Sequence, residues 1–189
     1  MTITELTPPV GEPLTLAETK AHLRIDGSAE DDLISFLIRT VREHLERETG
    51  LALLARTFRL YLDDWPQSRV IQIVRGPVQT IEGVTVYDAD GMPGAIDVSG
   101  FVLDGGARPA RLILPEQPAP GQAINGIEID FSAGFGATGA DVPDTLKRAM
   151  LLHAALLYEF RGAVAPENQP AAVPAGYDRL IGPFRRRGL

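Results

Sequence analysis

Asp141–Gly162, DVPDTLKRAMLLHAALLYEFRG, is the stretch on which the reading of the whole chain turns. Leu146, Ala149, Met150, His153, Leu156, Leu157 and Phe160 recur at helical spacing. Leu151, Ala154 and Ala155 leave little of the circumference polar, so a helix here needs cover on more than one side. Asp141 is placed to cap its start, Pro143 is tolerated in a first turn, and Arg161–Gly162 suit its end. The spacing predicts a helix over 142–161, with Met150 and Leu157 in the core.

Upstream of it the period changes from helical to alternating. In TFRLYL, Phe58, Leu60 and Leu62 alternate with Thr57, Arg59 and Tyr61, the mark of a half-buried strand. Further strands are expected at Val70–Val74, Val78–Tyr87, Phe101–Leu103, Arg111–Leu114 and Ile124–Ser132, with turns at Asp90–Gly91, Gly105–Gly106 and Pro118–Gly121. Residues 56–134 therefore read as a β-rich insertion between helical portions.

Before the insertion, Thr15 and Glu18 form a capping-box pair opening a helix near 15–24. Ser28 and Asp31 repeat that spacing and predict a longer helix over 28–49. Its stripe is Leu33, Ile34, Leu37, Ile38, Val41 and Leu45, and Gly50 suits its C-terminal turn. Residues 1–13 read as an extended arm, because Pro8, Pro9 and Pro13 forbid a helix. After the Asp141 helix, 163–176 reads as a Pro/Ala linker and 177–189 as a C-terminal tail. The organisation expected is α+β: a helical core from 14–55 and 141–162, interrupted by the β insertion.

Several motifs invite a chemical reading and do not sustain it. Gly134-Phe135-Gly136-Ala137-Thr138-Gly139 is a literal G-x-G-x-x-G between a strand and a helix. A dinucleotide site needs the third glycine at the helix start, but Ala140–Pro143 intervene and Asp141 would oppose a phosphate. The acids Glu30, Asp31 and Asp32 sit where a helix's positive end favours them, without a metal. His22, His44 and His153 fall on three segments, with no cysteine and no H-x-x-x-H spacing, so zinc is not expected. Ser99 lacks a nucleophile elbow, and Asp63–Asp64 and Asp88–Asp90 lie in turns. No constellation asks for an enzyme, and no cofactor is expected.

Composition narrows the remaining classes. The 189 residues are 44% hydrophobic and contain no cysteine, which suits a reducing compartment and excludes disulfides. A run near the roughly 20 apolar residues of a membrane span is missing. MTITELTPPVGEP has neither the basic start nor the apolar centre of a signal peptide, so synthesis in the cytoplasm is expected, with no membrane partner. A net charge of −7 is the wrong sign for a free-standing duplex binder. The arginines Arg179, Arg185, Arg186 and Arg187 gather at the C-terminal end, which reads either as a solvated terminus or as a tail that docks on an acidic surface.

In their order, PLTLAETKAHLRID, DDLISFLIRTVREHLERETGLALLARTF, FVLDGGARPARLIL, IEIDFSAGFG and DVPDTLKRAMLLHAALLYEFRGA form a pattern. It resembles the head–tail connector (adaptor) proteins of long-tailed bacteriophages and their relatives in gene transfer agents. The resemblance covers about Pro13–Ala163 and the closing Tyr177–Phe184. It implies synthesis in a bacterial cytoplasm and assembly into a particle neck as a ring, expected to be dodecameric, beneath the portal protein. The ring would continue the DNA channel toward a stopper or tail-side neck protein, and an acidic lumen lets the duplex slide without binding it. The tail looks like the portal-docking element. Tyr177, Leu180, Ile181 and Phe184 fall at i, i+3, i+4 and i+7 as anchors, with Arg185, Arg186 and Arg187 at the rim; the other reading of the segment is a turn folded back on the protein's own core. The alternatives are a stopper or tail-terminator ring of the same particle, or a ligand-binding protein or enzyme using the Gly134–Gly139 loop.

Overall fold

In the computed structural model, which describes residues 1–160 and 173–185, the apolar stripe of the long helix α2 (Asp31–Thr49) is buried as its spacing requires. Ile34, Val41 and Leu45 are wholly inaccessible, and Gly50 ends the helix in the left-handed region at φ 74°, its N–H donating to the Glu46 carbonyl. The chain is α+β and divides into two compact units. Among the described residues, one is helical and comprises 10–54, 136–160 and 173–185; the other is built on strands and comprises 1–9 and 55–135.

The helical unit begins with α1 (Leu16–Leu23), whose capping box is complete: Thr15 Oγ1 accepts from the Glu18 N–H at 3.0 Å, and Glu18 accepts from the Thr15 N–H at 2.8 Å. The helix α2 starts at Asp31 rather than Ser28. No side chain caps it, and Asp31 instead takes the Lys20 ammonium at 2.6 Å. The helix α3 (Asp144–Glu159) is shorter at both ends than the 142–161 expected from spacing. Asp141 does not cap it. The carboxylate turns back to accept from the N–H and hydroxyl of Thr138, both at 2.9 Å, closing a 3-10 turn at Gly139–Asp141 and leaving Pro143 at the cap position. These bonds stabilise the carboxylate and hold its pKa below the ordinary range.

On α3, Leu146, Ala149, Met150 and Ala154 are wholly buried, and His153 is 3% exposed. Leu157, expected in the core, is only half-buried, because the cover over this face thins toward the helix C-terminus. The last described element, α4 (Tyr177–Ile181), packs against α3 and runs into a 3-10 turn at Gly182–Phe184.

The strand unit holds two antiparallel sheets. Five strands lie in the order β1 (Thr2–Glu5), β2 (Arg56–Leu62), β8 (Ile127–Ala133), β4 (Val78–Tyr87) and β5 (Pro93–Ile96). Three more lie in the order β3 (Ile71–Ile73), β7 (Ala110–Ile113) and β6 (Val102–Asp104). The central strands β2 and β8 alternate strictly, so Phe58, Leu60, Ile127, Ile129 and Phe131 all face one buried side. Phe58 stands opposite Phe131 in register with stacked rings 5.7 Å apart, the cross-strand pair that fixes the pairing.

Two strands escape the sequence reading. The expected N-terminal arm is not free at its start: Thr2–Glu5 pairs with β2, and Glu5 receives the buried Arg56 guanidinium at 2.8 Å. Four alternating residues before three prolines carry too little pattern to announce an edge strand. The other is β5, where Pro93 and Gly94 would normally argue against a strand; it is an edge, the position where proline is tolerated.

Candidate docking surface

The helical unit presents its C-terminal segment on a small aromatic cluster. His44 of α2, His153 of α3 and Tyr177 of α4 meet as three rings. Their centroid distances are 4.8 Å for His44–His153, 5.4 Å for His153–Tyr177 and 5.9 Å for His44–Tyr177. Edge-on packing of this kind adds about 0.5–1.5 kcal/mol per pair beyond burial. Burial, then the neighbouring His44, pushes the His153 imidazole down to about 4, so it is neutral near pH 7. Burial, with the carboxylates of Glu48 and Asp178, pushes the Tyr177 phenol up to about 12. The Tyr177 hydroxyl and His153 Nδ1 find no hydrogen-bond partner among the described residues.

An ion pair locks the segment from outside. Arg185 donates to Asp178 at 2.7 Å on its own segment and to Glu48 at 3.2 Å on α2. Beneath lies a second charged core. Arg42, 7% exposed, donates to Glu12 at 2.7 Å and to Glu46 at 3.2 Å, and Glu46 also accepts the Leu53 N–H at 2.8 Å.

The portal-docking residues read from the sequence separate into two groups. Tyr177 and Ile181 are wholly inaccessible and anchor α4 into the chain's own helical unit, so they are not anchors held out for a partner. Leu180 and Phe184 are half-buried, and Arg185 is exposed. Arg186 and Arg187 lie outside the described residues, as does most of the expected 163–176 linker.

The glycine-rich loop has a packing explanation. A Cβ at Gly136 would collide with the Asp141 side chain, and one at Gly139 with the Pro13 carbonyl. Its glycines let the backbone close on neighbours inside the helical unit. Among the described residues no group of three or more histidine, aspartate or glutamate side chains is placed to hold a metal, and no helix is long and apolar enough to cross a membrane.

Known proteins similar to this chain come from virus-like particles. Residues 13–95 match the family described as phage gp6-like head-tail connector protein. No curated protein sequence matches. Among solved structures, the chain is similar to one from the virion of a native gene transfer agent particle. Identity is 32% with a TM-score of 0.82, covering 100% of this chain and 97% of that one. The neck of the empty particle, computed with C6 symmetry, gives 32% identity and a TM-score of 0.81 with the same coverage. The native neck, computed with C12 symmetry, gives 32% and 0.76, again with 100% and 97% covered. A helical unit with a buried C-terminal clasp, a sheet unit between its halves and full-length likeness to a neck component lead to one conclusion: the chain belongs to the phage gp6-like head–tail connector proteins.

Proposed function

We propose that the chain is the adaptor of a phage-like particle neck, assembled as a ring under the portal and continuing the DNA channel toward the tail. The observation that carries this reading is the likeness to a component of particle necks over 100% of the chain, helical and sheet units alike. A ring of many copies follows from the C6 and C12 symmetry of the related necks. Residues 14–55 and 141–162 act as the connector core, and 56–134 as its β insertion. The excess of acid, net −7, suits a conduit that must not retain the duplex.

The portal is the partner assigned to the C-terminal segment, in a form narrowed by the fold. Tyr177 and Ile181 hold the segment on the helical unit, and Leu180, Phe184 and Arg185–Arg187 offer the contact. The opposite side of the ring meets a stopper or tail-side neck protein. Synthesis takes place in the bacterial cytoplasm, followed by incorporation into the particle.

Cryo-electron microscopy of particles from the source cells tests the reading. Density for this chain in a ring at the head–tail junction is the expected result. Its placement elsewhere, or its absence from purified particles, would overturn the assignment.

A further inference from the structure

The helical unit exposes two aromatic rings, Phe36 of α2 at 56% and Phe160 at the end of α3 at 40%. A cyclic ring of identical chains needs two unlike patches on each copy, one to fit the other on the next. These rings lie on different helices and point away from the shared core. Phe36 projects opposite the Ile34–Ile38–Val41 stripe. Phe160 continues the i, i+4 ridge of Leu152 and Leu156, both half-buried. Tyr158, two residues earlier, donates to Glu30 beside the start of α2, so Phe160 faces the opposite flank of α3.

Charge adds a second argument. Around Phe36 stand Asp32, Arg39, Glu43 and Arg47; near the α3 ridge stand Arg148 and Glu159. Asp32, Arg39, Arg47, Arg148 and Glu159 form no salt bridge among the described residues. Each patch is thus an aromatic centre rimmed by uncommitted charges of both signs, which two copies brought together can pair.

We propose that, in the ring, the Phe36 face of α2 on one copy packs against the Leu152–Leu156–Phe160 ridge of α3 on the next. This rests on the adaptor reading above and names the surface by which the ring closes. Buried aromatic anchors with a polar rim are the arrangement that carries most binding energy at such contacts.

The absence of cysteine in the chain makes a direct test clean. Phe36→Cys is combined in one chain with Leu152→Cys, Leu156→Cys or Phe160→Cys. Assembled particles are then treated with a short thiol-to-thiol cross-linker. At least one pair should give a ladder of linked multiples of this chain, absent from each single-cysteine variant. No ladder from any pair in particles that carry the chain overturns the interface while leaving the adaptor reading standing. Linkage to a different particle protein overturns it as well. Absence of the unsubstituted chain from particles removes the adaptor reading and this one together. As a second measurement, Phe36→Arg should melt like the parent yet drop at least tenfold in particle incorporation. Incorporation at the parent level would overturn the proposal.

Discussion

The Tyr177 ring stands edge-on to the His153 imidazole, with centroids 5.4 Å apart and planes at 70°, and neither ring reaches solvent to more than 3% of its area. The contact ties the end of the chain to its most apolar helix. It turns what looks in sequence like a free docking tail into part of the core.

Removing residues 177–189 should therefore destabilise the helical unit rather than leave it intact. Ile181→Ala alone should cost about 2–5 kcal/mol, the usual range for a large-to-small change in a core. Urea denaturation checks it, and a midpoint unchanged from the parent would mean that α4 does not hold its place in solution.

The same cluster makes stability fall with acid. Unfolded, the His153 imidazole protonates near its ordinary value of 6.5; folded, it stays neutral down to about pH 4. Between these the unfolded chain binds the extra proton, so stability is full above pH 6.5 and declines as the pH falls through that window. The loss should be on the order of 2–3 kcal/mol. In His153→Phe this part of the slope should vanish, measured by thermal melting at stepped pH. On the alkaline side, the Tyr177 phenol raised to about 12 from 10.0 makes stability decline as the pH climbs above 10.

Arg42→Ala should be among the most damaging single changes in the helical unit. It strips a guanidinium partner from Glu46, which is 4% exposed and holds the Leu53 N–H. Removing the cationic partner of a buried carboxylate costs about 3–5 kcal/mol. The double change Arg42→Met with Glu46→Gln should recover part of that loss in the same unfolding assay, because the more deeply buried carboxylate is then neutral while Glu12, another partner of Arg42, keeps contact with water.

Phe184→Ala should lower the fraction of DNA-filled heads that carry tails more than Arg185→Ala does. A half-buried aromatic contributes more to a partner contact than an exposed charge at the rim. Counting tailed and tailless particles by negative-stain electron microscopy decides it. A larger effect from Arg185→Ala would assign the contact to charge.

Much of the fold is legible in the residues because the signals are local. The Thr15–Glu18 capping box, the α2 stripe ending at Gly50 and the alternation of β2 and β8 each rest on neighbours within a few positions. What the sequence leaves open is long-range. The spacing of Tyr177, Leu180 and Ile181 says which side of a short helix is apolar but not whose groove receives it. Here the groove is formed by α2 and α3 of the same chain. Asp141 illustrates the other limit. As a cap for α3 or the keystone of a 3-10 turn it has the same local sequence, and two bonds from Thr138 decide for the turn. The glycines at 136 and 139 imitate a phosphate loop because close approach of backbone needs glycine whatever approaches. In this chain it is Asp141 and Pro13.

The helical unit is discontinuous, with 55–135 falling between its two halves. During synthesis α1 and α2 leave the ribosome early but lack α3 and α4, the helices that complete their core. The sheet unit, finished by residue 135, can settle first. The surface of α3 comes into being only after the whole of 55–135 has been made. If α3 carries half of the proposed ring contact, nascent copies crowded on one messenger lack that half until this helix has been made.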